Sequence, residues 1–181
     1  MFKFSYLTVR PSKGAFIGPA YSDKVDQVVM TQILEEKITY VVQNAFSTVL
    51  ETEVLSNPAA MVLARGEPYI TASIQITGAW KGVVSVHVPF DLGEEIAAIM
   101  FEDEIDFINT EDLEDAMGEI TNIISGSFKS MLEGICHLGL PIVTRGTDYT
   151  VRFPGGTTKV DVGFECDDFC FHVSLIQANQ D

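Results

Sequence analysis

Positive charge is scarce in this sequence. Eleven Lys and Arg stand against 26 Asp and Glu, leaving a formal net charge of −15, which opposes the phosphate neutralisation that nucleic-acid binding requires. The shortage is also local. No Lys or Arg occurs between Lys81 and Lys129, while acids recur from Asp91 to Glu119. Such a surface can steer a basic partner patch, and it equally suits solubility and the starts of two helices.

Cysteine is sparse as well. Cys136, Cys166 and Cys170 are odd in number and include no CxxC pair, which argues against a disulfide framework or a zinc ribbon. Cys166 and Cys170 flank Asp167-Asp168, which reads as a hairpin turn, and nothing nearby is arranged to activate a thiol. The acidic block from Glu102 to Asp106 lacks the Gly and terminal Glu of a calcium loop. No apolar run reaches the length of a membrane span, and the stretch Met1–Leu7 has no sustained apolar core of a secretion signal. The expectation is a cytoplasmic protein without a membrane segment, a nucleic-acid partner or a bound metal. A small-molecule enzyme is disfavoured too, because no convergent His, Asp and Cys set is visible.

What the chain does have is apolar content, 46% of 181 residues, enough for a substantial core in one domain. Val28, Val29, Ile33, Ile38, Val41, Val42, Phe46, Val49 and Leu50 predict a long helix from about Lys24 to Thr52. Period-two alternation predicts strands at Ile70–Thr77, Val84–Val88, Val160–Glu165 and Phe169–Leu175, with shorter ones at Ile142–Thr144 and Tyr149–Phe153. Asp91–Phe101 reads as a short helix after Pro89. His87 and His172 fall among the polar alternates, as sheet-face residues rather than catalytic bases. The order fits an α+β fold, an antiparallel or mixed sheet packed against long helices.

The halves of the chain echo each other. Ile38–Leu50 aligns without a gap on Ile120–Leu132, with Ile, Thr, Phe and Leu recurring, which argues for an internal duplication. We divide the chain into an N-terminal arm, 1–23, and a single domain, 24–181, with half-repeats at about 24–106 and 107–181. The alternation of Phe2, Phe4, Tyr6 and Leu7 is also that of an added strand.

A second helix is predicted over Thr110–Ile135. At about 100° per residue it gathers Leu113, Met117, Ile120, Ile124, Phe128, Met131 and Ile135 into one apolar stripe. Asp115, Glu119 and Asn122 lie nearly opposite, and Gly126 shares their side. An exposed mid-helix Gly costs roughly 1 kcal/mol relative to Ala and lets another surface come close. The same spacing is found on ordinary solvated helix faces. The duplication sharpens the contrast, since Lys37, Tyr40 and Asn44 occupy the positions of Glu119, Asn122 and Gly126 in the first half.

The run from Glu114 to Gly126, EDAMGEITNIISG, resembles the active-site helix of the CheC/CheX/FliY phosphatases of bacterial chemotaxis. Their signature is Asp or Ser, three residues, Glu, two residues, Asn, and a Pro further on. Asp115, Glu119 and Asn122 match it; Pro141 could supply the last element, closer to Asn122 than in the CheC branch. The single motif, the length and the element order look most like CheX, over roughly residues 24–177. The resemblance implies hydrolysis of the aspartyl phosphate of a CheY-like receiver domain. Asn122 would orient the attacking water, Glu119 would engage the receiver's Lys, and Asp115, Gly118 and Gly126 would lie on the partner-facing surface. The receiver would bring its own Mg²⁺, so no intrinsic cofactor is implied. Homodimerisation through the sheets is implied as well. A noncatalytic acidic adaptor for a receiver is the alternative reading.

Overall fold

The computed structural model describes residues 19–57 and 66–179, with side chains of the first helix described from Gln27 onward. Its elements are α1 (Pro19–Val49), β1 (Leu55–Ser56), β2 (Pro68–Gly78), β3 (Gly82–Pro89), α2 (Phe90–Phe101), a short 3₁₀ turn (Ile105–Phe107), α3 (Thr110–Ser130), β4 (Cys136–Leu138), β5 (Ile142–Thr147), β6 (Gly156–Cys166) and β7 (Phe169–Ala178). The strands form one sheet in the order β1-β6-β7-β3-β2-β4. The long β2 pairs with β5 along its first half and with β4 along its end. Every described pairing is antiparallel, as the alternating sequence pattern predicts.

The core lies between the helices and one face of the sheet. Ile70, Ala72 and Ile76 of β2, Val84, Val86 and Val88 of β3, and Phe171, Val173 and Leu175 of β7 are buried there. They meet Ile38, Val42 and Phe46 of α1 and Met117, Ile120, Ile124 and Phe128 of α3. Phe46 stacks on Phe171, which stacks on Phe164. The aligned pairs Ile38/Ile120, Val42/Ile124 and Phe46/Phe128 are all fully buried, so the two similar helices turn the same face to the core. The Lys37 ammonium donates to the Met131 carbonyl at 2.8 Å, placing a cation at the C-terminal end of α3, where exposed carbonyls and the helix dipole favour it.

Several expectations need correction. The arm expected over 1–23 lies outside the described residues as far as 18, and 19–23 already belong to α1. Val28, Val29 and Ile33 continue the helical pattern but are exposed; burial begins at Leu34, because no described element covers the earlier turns. The second long helix stops at Ser130, and Ile135 stands in a loop with 76% of its surface exposed. Tyr149–Phe153 is not a strand. Asp148 takes a left-handed φ of 52°, which ends the ladder, and the Tyr149 ring stacks on Tyr69 while its hydroxyl donates to Thr71 Oγ1 at 2.8 Å. The segment therefore lies across the outer sheet face instead of extending it. Thr71, which accepts from Tyr149, is buried, and so are Ser73 and Ser85, which share a hydroxyl hydrogen bond of 2.7 Å. His87 and His172 stack nearby, their centroids 4.3 Å apart.

Candidate functional site

α3 begins with a reciprocal cap. The Asn109 side-chain oxygen accepts from the Glu111 and Asp112 amides at 2.8 and 3.2 Å, and the Asp112 carboxylate accepts from the Asn109 amide at 3.1 Å. Such a box satisfies orphan donors of the first turn and sets the rotational phase of everything downstream. With Leu113, Met117, Ile120, Ile124 and Phe128 locked into the core, the opposite side of the helix is obliged to face outward. Asp115 and Glu119 are exposed there, and Asn122 is half-buried.

The three side chains line one open groove of about 710 Å³. α3 forms its floor. The end of α2, Met100 and Phe101, lines it with Gly139, Leu140 and Pro141 of the segment that joins β4 to β5 and with Val143 of β5. No hydrogen bond or ion pair within the described residues engages the side chains of Asp115, Glu119 or Asn122. Glu114, by contrast, is held: Arg145 of β5 approaches its carboxylate at 3.2 Å and donates to Thr110 Oγ1 at 3.1 Å. Arg145 is thus committed to Glu114 and Thr110, and the described groove lining contains acids but no Lys or Arg.

The two glycines have a use that spacing did not reveal. Gly118 is buried; a Cβ placed there would stand 3.4 Å from Pro141 Cγ. Gly126 is half-buried, and a Cβ there would lie 3.9 Å from Leu138 Cδ1. Gly118, Asn122 and Gly126 follow one another at four-residue intervals, one stripe of the helix. The chain from Leu138 to Pro141 lies along that stripe, touching it at both glycines and leaving the carboxamide between them. The surface that approaches the small residues is therefore the protein's own β4–β5 connection, and Gly118 reaches the groove only as its floor beneath Pro141.

Pro141 thereby acquires a physical place in the site, while Leu140, Met100 and Phe101 are groove residues that the sequence pattern did not single out. Their signal was weak: the apolar run Leu140-Pro141-Ile142 reads as the start of a strand, and Met100-Phe101 as the end of an amphipathic helix. Conversely, α1 carries other residues at the positions of Glu119, Asn122 and Gly126. Tyr40 and Asn44 are exposed on its surface and Lys37 is spent on capping α3. Among the described residues, no group of three or more His, Cys, Asp or Glu is placed to hold a metal ion, and no helix is long and apolar enough to cross a membrane.

Comparison with known proteins bears on this site directly. A family model described as chemotaxis phosphatase CheX matches residues 70–165, more than half of the chain and including α3. No curated protein sequence matches. Among solved structures, a CheX chemotaxis protein from Vibrio vulnificus superposes with a TM-score of 0.66 at 22% identity, covering 78% of this chain and 94% of that one. A CheX protein from Desulfovibrio desulfuricans gives a TM-score of 0.66 at 20% identity, covering 80% and 98%. A complex of CheX with CheY, BeF3 and Mg²⁺ from Borrelia burgdorferi gives 0.62 at 16% identity, covering 80% and 97%. At these identities the likeness is one of fold.

Proposed function

The chain belongs to the chemotaxis phosphatase CheX family, and from that premise we propose that it hydrolyses the aspartyl phosphate of a CheY-like receiver domain, with Asn122 and Glu119 as the groups that enter the receiver's site. The observation that carries the reading is the groove: a carboxamide and a carboxylate one turn apart on a rigid helix, open to a visitor and, among the described residues, engaged by no hydrogen bond or ion pair.

The chemistry asks little covalent help of this chain. In phosphoryl transfer most of the barrier is lowered by placing the nucleophile in line and stabilising charge on the transferring group. A carboxamide accepts from water through its oxygen and donates through its nitrogen, so Asn122 can fix one water relative to the phosphorus. The water oxygen forms the new bond to phosphorus, the bond to the receiver's Asp breaks, that carboxylate leaves with the electron pair, and the water's protons go to the released phosphate and solvent. Fixing the water removes part of the entropic cost of the step. Glu119, three residues before Asn122 and therefore on the same face, pairs with the receiver's Lys and sets the depth of insertion. Mg²⁺ belongs to the receiver in this scheme. The complex of a family member with CheY, BeF3 and Mg²⁺ supports a partner of this kind.

The test is phosphate loss from an autophosphorylated CheY-type receiver. Wild-type protein is expected to accelerate it, and Asn122→Ala to remove most of the acceleration, at least about a hundredfold if water placement is its role, with the thermal midpoint unchanged. Binding without acceleration would instead identify a noncatalytic adaptor.

A further inference from the structure

The site motif is polar, yet two large apolar side chains stand exposed in the same groove. Phe101, the last residue of α2, keeps 48% of its surface exposed, and Leu140, in the β4–β5 connection, keeps 85%. Single exposed apolar residues are ordinary on protein surfaces, but these two line one concavity with Asp115, Glu119 and Asn122. They come from different elements, 39 positions apart in sequence, and both are held firmly from beneath. Phe101 ends a helix whose Leu92, Ile96 and Ala97 are buried in the core, and whose next residue, Glu102, terminates it in a left-handed conformation at φ 55°. Leu140 is carried between Gly139, whose amide donates to the Gln75 carbonyl at 2.7 Å, and Pro141 on Gly118.

We propose that Phe101 and Leu140 form an apolar clamp that grips the receiver domain on either side of the inserted Glu119 and Asn122, and that this clamp, rather than the polar pair, supplies most of the affinity. The inference rests on the receiver reading above. Protein interfaces concentrate their binding energy in a few anchors seated in well-packed, desolvated pockets, while rim charges act mainly on orientation and association rate. Charge complementarity names the occupant's chemistry. The groove is lined by Glu114, Asp115 and Glu119 and by no Lys or Arg among the described residues, and Arg145 is paired with Glu114. The face that fits therefore carries a basic side chain flanked by apolar surface, as the Lys-bearing pocket of a receiver would require. A purely basic ligand would leave Phe101 and Leu140 wetted, and a purely apolar one would bury unpaired carboxylates at considerable cost.

The experiment compares wild type, Phe101→Ala, Leu140→Ala, Leu140→Asp and Asn122→Ala by steady-state dephosphorylation and by titration against CheY-type receivers activated with beryllofluoride and Mg²⁺. Circular dichroism establishes that each variant keeps the wild-type fold; both clamp side chains are exposed, and Leu140→Asp keeps the test open if Phe101→Ala loses stability. Expected are rises of about tenfold in KM and Kd for each alanine variant, more for Leu140→Asp, with kcat within twofold of wild type. The loss should persist at high salt, because apolar contacts are not screened. Asn122→Ala should do the opposite, losing kcat and keeping Kd. Unchanged KM and Kd in both alanine variants, alongside an inactive Asn122→Ala, would overturn the clamp and leave the phosphatase reading standing. A wild-type protein that neither binds nor dephosphorylates any of the receivers would overturn both.

Discussion

Pro141 rests on Gly118, with only 3.4 Å between its Cγ and the place a Cβ would occupy on that residue. This contact seats the β4–β5 connection on α3 immediately beside Glu119 and one turn before Asn122, so the depth of the groove depends on the absence of a side chain at position 118. Gly118→Ala is expected to be tolerated: 3.4 Å is an ordinary contact, and replacing a helical Gly by Ala favours the helix by up to about 1 kcal/mol. Gly118→Leu has no room and should displace residues 138–141, lowering the thermal midpoint by several degrees, as an overpacking cost of roughly 1–3 kcal/mol implies. Differential scanning calorimetry of the two variants decides it, and equal midpoints would show that the connection is not seated on this residue.

Reversing the charge at Glu119 should act on encounter and docking more than on folding. Glu119 is exposed and makes no ion pair within the described residues, so Glu119→Lys is expected to alter stability by less than about 0.5 kcal/mol. Its affinity for a beryllofluoride-activated receiver should drop at least about tenfold at low ionic strength, and the gap to wild type should narrow as salt is raised. Retained affinity at all salt concentrations would contradict the proposed pairing with a receiver Lys.

The stacked histidines of the outer sheet face make stability depend on pH. Burial, aided by the neighbouring His172, pushes His87 down to about 3; burial also lowers His172, against the opposing pull of Asp161. The folded protein therefore resists protonating these rings at pH values where the unfolded chain, titrating near 6.5, takes up protons, His87 most strongly. The unfolded state binds more protons in that window, so stability should fall as pH drops from about 6.5 toward 3, with a limiting slope of about 1.4 kcal/mol per pH unit from His87 and a contribution of the same sign from His172. Urea unfolding at pH 7, 6 and 5 measures the slope. The double variant His87→Gln/His172→Gln should be flatter over this range, and a slope equal to wild type would exclude the pair as its source.

Thiol reactivity should divide the three cysteines. Cys166 is buried, and its thiol is pushed up to about 11, first by burial and then by Asp167 and Glu95. Since the thiolate is the reactive form, iodoacetamide at pH 8 should modify Cys166 far more slowly than the half-buried Cys136 and Cys170. Peptide mass mapping over time reads this out. In urea the three rates should converge, and early labelling of Cys166 in the native protein would place it nearer solvent than its burial implies.

Reading the chain residue by residue went furthest where one periodicity decides the outcome. Strand alternation foretold β2, β3, β6 and β7, and the 3.6-residue period foretold α3 and the outward placement of Asp115 and Glu119. Both follow from local geometry: once Leu113, Met117, Ile120 and Ile124 go inward, a rigid helix has no freedom about where the remaining positions point. The α+β class followed from the order of those elements. The groove walls were not legible in this way. Phe101 and Leu140 stand near Asn122 only because α2 and the β4–β5 connection are both packed against α3, and no local pattern encodes a meeting of segments so distant in sequence.

The same limit explains the errors. Tyr149–Phe153 alternates like a strand, but a left-handed Asp148 and the anchoring of Tyr149 on Tyr69 and Thr71 redirect it across the sheet. The spacing of Val28, Val29 and Ile33 foretold the helix they lie in, whereas their exposure is decided by neighbours, and the described structure supplies none. By itself, then, the order of amino acids determined which side of each helix and strand is apolar and which acid and amide share a face. Only tertiary packing decided which faces found a partner, and so which glycine carries a proline and which apolar side chains stay in the open beside the carboxamide, because contacts between distant segments depend on the whole arrangement.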